Sequence, residues 1–164
     1  MMTTPSKQAA GGTGMAVIFL LAGLAVASPL QESRNSGTPD SSLEKMRSIA
    51  ESQHEIFLLL LHKKQYSKAV DEAGRIFELK WPPDQEPLLT KELISLSGRL
   101  VHAEQTPSGL LLLERNLKYF HRVESRVSIL KEMGYLHKTL GHDDQALDCF
   151  RQAKELEVES APRE

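Results

Sequence analysis

LKEMGYLHKTLGHDDQALDCFRQA, residues 130–153, is the stretch on which the reading of this chain turns. Leu130, Met133, Leu136 and Leu140 recur every three or four residues, a spacing that lines apolar side chains along one side of a helix. Gly141 follows, a residue free to adopt the left-handed backbone that ends helices. Asp143 then opens a second helical pattern carrying Ala146, Leu147, Phe150, Ala153 and Leu156. The stretch predicts two helices joined by a tight turn. Gly134, Ala146 and Ala153 are small enough to let the two approach closely, with Met133 and Phe150 filling the space between them.

Four more helices are expected on the amino-terminal side. Ser41-x-x-Glu44 matches a capping box, in which the serine oxygen and the glutamate satisfy early backbone N–H groups. Leu43, Met46, Ile49, Ala50, Ile56, Phe57, Leu60 and Leu61 then recur at helical spacing to about Lys64. A second helix from about Tyr66 carries Ala69, Val70, Ala73, Ile76, Phe77 and Leu79 on one side. Trp81-Pro82-Pro83 stops it, since proline lacks an amide donor and restricts the residue before it. The third begins between Asp84 and Pro87 and buries Leu89, Leu93, Leu96, Leu100 and Val101. Thr106-Pro107, threonine as cap and proline in first position, starts a fourth that runs to about Tyr119. No glycine or proline lies between Leu110 and Met133, and the next boundary is placed at His121 to Ser125. The fifth helix then uses Val127 and Leu130 onward. No segment alternates apolar and polar residues as a strand does, so the expected class is all-α with about six helices.

Taken in pairs, these helices resemble tetratricopeptide repeats over about residues 48–158. Leu130-x-x-Met133-Gly134-x-x-His137, Leu140-Gly141 and Ala146-x-x-x-Phe150-x-x-Ala153 carry the resemblance, with His137 in place of the motif's tyrosine. The first pair matches through Ile56, Leu60, Tyr66, Ala69, Ala73, Ile76 and Leu79, with Phe57 where a small residue is expected. The second matches through Leu93, Leu96, Ser97, Leu100, Gly109 and Leu113, with Asn116 at another small-residue position. Ala69, Gly109 and Ala146 are equivalent, at spacings of 40 and 37 against a family period of about 34. The resemblance implies three antiparallel hairpins in a short right-handed solenoid over residues 42–160, each hairpin covering the apolar flank of its neighbour. An irregular six-helix bundle is the alternative arrangement.

The resemblance also implies that a protein or peptide segment docks on the concave side, lined by the first helix of each pair. That face takes His54, Leu58, Leu61 and His62 from the first pair, and Ile94, Val101 and His102 from the second. Lys131, Tyr135 and Lys138 come from the third. Leu58 replaces a polar anchor of the carboxylate clamp that grips chaperone tails, and Leu58, Leu61, Ile94 and Val101 have core packing as their other reading.

The amino-terminal segment reads as an address. Gln8 to Pro29 holds no charge, and Met15 to Ala27 is an unbroken apolar run after a single cation, Lys7, closing on Ala25-Val26-Ala27. That is the pattern of a signal peptide cleaved after Ala27. The alternative is an uncleaved anchor, because Gly11 to Leu30 approaches the ~20 residues that span a bilayer. Residues 28–41, SPLQESRNSGTPDS, form a flexible linker by composition. The chain is therefore expected to be exported, periplasmic or secreted if cut and membrane-anchored through residues 8–30 if not.

Little in the sequence suggests chemistry. A formal net charge of -2 leaves no electrostatic case for nucleic-acid binding. One cysteine, Cys149, forms no internal disulfide, and no neighbour in the sequence activates it. His54-Glu55 lacks the second histidine of a zincin helix, and the break at Gly141 is expected to separate His137 from His142. Arg115, Lys118, Arg122 and Arg126 read as a solvated basic face, and no nucleophile elbow or phosphate loop occurs. No catalytic residue, metal or cofactor is expected, and the function predicted is that of an exported adaptor. The alternatives are an accessory subunit of a larger envelope complex and a metal-binding helical-bundle enzyme.

Overall fold

The computed structural model describes residues 39–161. The leader, its cleavage position after Ala27 and the tether through residues 8–30 lie outside the described residues. Those that are described form six α-helices and two short 3-10 turns, with no strand among them. The helices are α1 (Pro39–His62), α2 (Tyr66–Glu78), α3 (Glu86–His102), α4 (Thr106–Asn116), α5 (Val123–Thr139) and α6 (Asp143–Ser160). The 3-10 turns are Pro83–Gln85 and Leu117–Tyr119.

Two boundaries differ from the sequence reading. α1 begins at Pro39, inside the stretch whose composition suggests a linker, so Ser41 falls within its first turn. A proline suits that start, because the N–H it lacks has no intrahelical partner there. The fourth helix ends at Asn116 and passes through Leu117–Tyr119 into extended Phe120. Tertiary contacts explain a stop that no glycine or proline marks. Phe120 is buried with its ring 5.9 Å from that of Phe77 on α2. The buried Glu86 carboxylate, at the start of α3, accepts the His121 and Arg122 backbone N–H groups at 2.9 and 2.7 Å. Those two amides, which a continuing helix would bond to carbonyls a turn earlier, are satisfied from another helix instead.

The turns α1–α2, α3–α4 and α5–α6 are built alike. Each has one residue with positive φ: Lys64 (56°), Glu104 (61°) and Gly141 (74°). Just after it, Gln65 N–H donates to Leu60 C=O, Gln105 N–H to Leu100 C=O and His142 N–H to His137 C=O, each at 2.9 Å. This is the bond of a left-handed helix stop, closing carbonyls the helix end leaves open. The left-handed residues are spaced by 40 and 37, as are Ala69, Gly109 and Ala146.

Packing is heaviest within each pair, α5 on α6, α1 on α2 and α3 on α4. Between pairs, α2 lies on α4, and α5 lies on both α3 and α4. The main core gathers Phe57, Ile76, Leu93, Leu96, Leu100, Leu112, Leu113, Phe120 and Ile129, and Val127, Leu130 and Ala153 form a satellite between α5 and α6. Phe57, out of place by the motif, is fully buried. Counting from each left-handed residue, Phe57 corresponds to Gly134, and Ala73 to Phe150. At these positions the bulk comes from the first helix in one pair and from the second in the other. Leu147, grouped by spacing with the buried side of α6, is 47% exposed, and Ile49 and Ile56 on α1 are also exposed.

Candidate functional site

The face expected on the first helices divides into buried margin and open surface. Leu58, Leu61 and Val101 are half-buried against the main core. Ile94 is half-buried too. His54 is half-buried, its Nδ1 2.6 Å from Glu92 Oε1 on α3. Lys131 reaches across to α6, its Nζ 2.6 Å from Glu157 Oε1. Tyr135 is 58% exposed and sets its ring edge-on to Phe150, centroids 5.2 Å apart. Lys138, His62 and His102 are exposed.

The structure brings three of these together. Leu61, His62, Lys64 and Tyr66 from the first turn face His102, Ala103, Glu104 and Gln105 from the second across a shallow depression of about 440 Å³. Identical turns in neighbouring pairs create it. The left-handed residue of each, Lys64 or Glu104, is among its lining residues, giving opposite charges on the two sides. The depression is open and mostly polar, with Leu61 among its lining residues.

The four cations of the expected basic face, Arg115, Lys118, Arg122 and Arg126, are individually engaged. Arg115 pairs with Asp71 at 2.9 Å, Arg126 donates to Phe120 C=O at 3.3 Å, Arg122 lies 3.9 Å from Glu124, and Lys118 sits over the Tyr119 ring. Ion pairs this exposed contribute little to stability.

One grouping was hidden from the sequence. The turn at Gly141 does not part the two histidines on either side of it: His137 Nδ1 and His142 Nδ1 lie 3.4 Å apart, with ring centroids 5.7 Å apart. Helix periodicity says nothing of a residue one step beyond a left-handed stop, where the chain folds back over its own last turn. His137 is almost fully buried, and its Nε2 is 3.8 Å from Glu114 Oε1 on α4. Cys149 is buried nearby on α6, and its thiol is pushed up by burial first, then by the carboxylates of Glu114 and Asp148. No group of three or more His, Cys, Asp or Glu side chains is arranged to hold a metal among the described residues. None of the described helices is long and apolar enough to cross a membrane.

No protein-family model matches the chain, and no curated protein or solved structure matches it either.

Proposed function

We propose that this chain is a non-catalytic adaptor of tetratricopeptide type, in which three antiparallel hairpins stack as a short right-handed solenoid and dock a protein segment. The observation that carries the proposal is the threefold repetition of one turn, with the same left-handed position and the same closing backbone bond. Contact order supports the hairpin arrangement. Along α5, Lys131 meets Glu157, Tyr135 meets Phe150 and His137 meets His142, so numbers rise on one helix as they fall on the other. Arg47 with Gln85, in the 3-10 turn just before α3, and His54 with Glu92 on α3 keep a constant offset, as expected of first helices running in the same direction.

In this reading the partner contacts the open part of the first-helix face: His62 and His102 at the depression, and Tyr135 and Lys138 on α5. Leu58, Leu61, Ile94 and Val101 form the floor beneath. Export follows from Met15 to Ala27, with residues 28–38 as a spacer. One observation favours the accessory-subunit reading, namely the exposed Ile49, Ile56 and Leu59 along α1.

Crosslinking in native membrane and secreted fractions, followed by identification of the captured protein, tests the proposal. Replacing Tyr135 and Lys138 together is expected to abolish capture while the circular dichroism spectrum is unchanged. Undiminished capture removes them from the docking face. Amino-terminal sequencing of the native protein distinguishes cleavage after Ala27 from anchoring.

A further inference from the structure

Counted from the left-handed residue of its turn, each position in the first pair has an equivalent in the other two. Eight residues before the left-handed one stand Ile56, Leu96 and Met133. Leu96 and Met133 are buried, whereas Ile56 is 40% exposed. Five before stand Leu59, Arg99 and Leu136, which are exposed, half-buried and buried in that order. Six after stand Val70, Leu110 and Leu147, and there the exposed residue is the last: Leu147 is open and the other two are buried. Nine after, Ala73 and Leu113 are buried while Phe150 is half-buried.

The three turns share one closing backbone bond, so the difference lies in the neighbours and not in the hairpins themselves. Packing between pairs runs from α2 to α4 and from α5 to α3 and α4. Among the described residues no pair precedes the first and none follows the third. Ile56 and Leu59 therefore mark a leading face that the second and third pairs cover, and Leu147 and Phe150 mark a trailing face that the first and second pairs cover. The two open faces are the two halves of a contact the chain already makes between its own pairs.

Their charges match as well. Arg115, eleven residues after its left-handed residue, pairs with Asp71, seven after its own, at 2.9 Å between the first two pairs. The same positions on the open faces are Arg75, eleven after Lys64, and Asp148, seven after Gly141. Between the second and third pairs these positions are Leu111 and Gln152, so the ends repeat the charges of the first junction and not of the second. Arg75 and Asp148 are exposed and pair within their own helices, with Glu72 and Arg151.

We infer that a second copy of this chain covers these faces: the first pair of one copy stacks on the third pair of another, Ile56 and Leu59 against Leu147 and Phe150, with Arg75 opposite Asp148. The two faces differ, so the contact is heterologous, and each copy keeps one open face for a further copy. Arg151 stands where Gly74, whose Cβ would lie 3.7 Å from Asn116 Oδ1, lets α4 come close, so the joint is looser than the internal one. The inference rests on the stacked hairpins of the adaptor proposal and not on its docking face.

Sedimentation equilibrium of the full chain is the test. The weight-average mass is expected to rise from one chain below about 10 µM towards two or more by about 500 µM. Ile56→Glu on the leading face and Leu147→Glu on the trailing face should each leave single chains, with unchanged circular dichroism because both sites are exposed. Mixed one to one, these variants hold one intact leading face and one intact trailing face between them, and should form dimers and nothing larger. Arg75→Asp and Asp148→Arg should each weaken association several-fold, and a chain carrying both should regain it. A chain that stays single at about 500 µM overturns the inference and hands the α1 face to a different subunit. Association untouched by either glutamate, lost with only one of them, or absent from the mixture overturns it too. Capture that depends on Tyr135 and Lys138 in a chain that stays single overturns this contact alone, and self-association with undiminished capture overturns the docking face alone.

Discussion

Gly134 marks a close approach between α5 and α6, and replacing it measures how tightly the third pair is built. A Cβ at Gly134 would lie 2.8 Å from Cε1 and Cζ of Phe150 and 3.1 Å from its Cδ1. Carbon atoms prefer about 3.5–4.0 Å, so the ring or the helix must move. Gly134→Ala gains helix propensity worth about 1 kcal/mol. Against this stands an overpacking cost of about 1–3 kcal/mol. Phe150 is half-buried and leans on exposed Tyr135, so its ring has somewhere to go, which places the cost in the lower part of that range. Gly98 on α3 is the control, since a Cβ there meets nothing within 4 Å. Gly98→Ala should therefore stabilise by about 0.5–1 kcal/mol. Propensity cancels between the two variants, leaving a difference of about 1–2 kcal/mol as the contact itself. Urea unfolding followed by circular dichroism reads it as separated midpoints at equal slope. Phe150→Leu placed in the Gly134→Ala chain should recover part of the loss through coupling between the two sites. Equal stability of the two alanine variants, or no coupling with position 150, would refute the claim that this close contact sets the helix spacing.

The other expectations concern the turns, the buried carboxylate and the thiol. Lys64→Gly and Glu104→Gly should each raise the unfolding midpoint by an amount equivalent to about 0.5–1 kcal/mol, because a left-handed non-glycine residue costs about 1–2 kcal/mol and glycine returns part of that as chain entropy. Gly141→Ala, at φ 74°, should lower stability by about 1 kcal/mol or more in the same assay. Glu86→Ala removes the acceptor of two backbone N–H groups and is expected to cost about 2 kcal/mol, with faster amide hydrogen exchange at His121 and Arg122. Cys149 should resist iodoacetamide in the folded chain at neutral pH and react on unfolding in urea. Its raised titration also has a direction for stability. The unfolded thiol ionises first, so the contribution is whole below the ordinary thiol range and is lost as pH rises through it, a loss that Cys149→Ala should abolish.

Individual residues show what was legible in the sequence. Trp81-Pro82-Pro83 and Gly141 acted where they stood, because proline geometry and a left-handed stop depend only on adjacent backbone, and Pro107 lies in the first turn of α4, with Gln105 and not Thr106 at the cap position. The Lys64 and Glu104 stops were less visible, since neither residue type favours positive φ and only the repeat spacing of 40 and 37 points to them. Of the candidate face, Tyr135, Lys138, His62 and His102 are open and the four aliphatic positions are half-buried. Apolar spacing alone cannot separate a groove floor from the edge of a core.

The sequence by itself determined six helices, most of their ends and the pairing of small with large residues in the last turn, because each depends on groups within a few residues of one another. Only the tertiary structure decided that Glu86 and Phe120 would end α4, that Phe57 would exchange its bulk with Ala73, and that His137 and His142 would meet. The first joins residues 35 apart in the chain, and the second concerns helices on either side of a turn. The third depends on which way the chain turns after a left-handed residue. Local propensity is blind to all three, since they follow from how helices settle against one another once their apolar sides are buried.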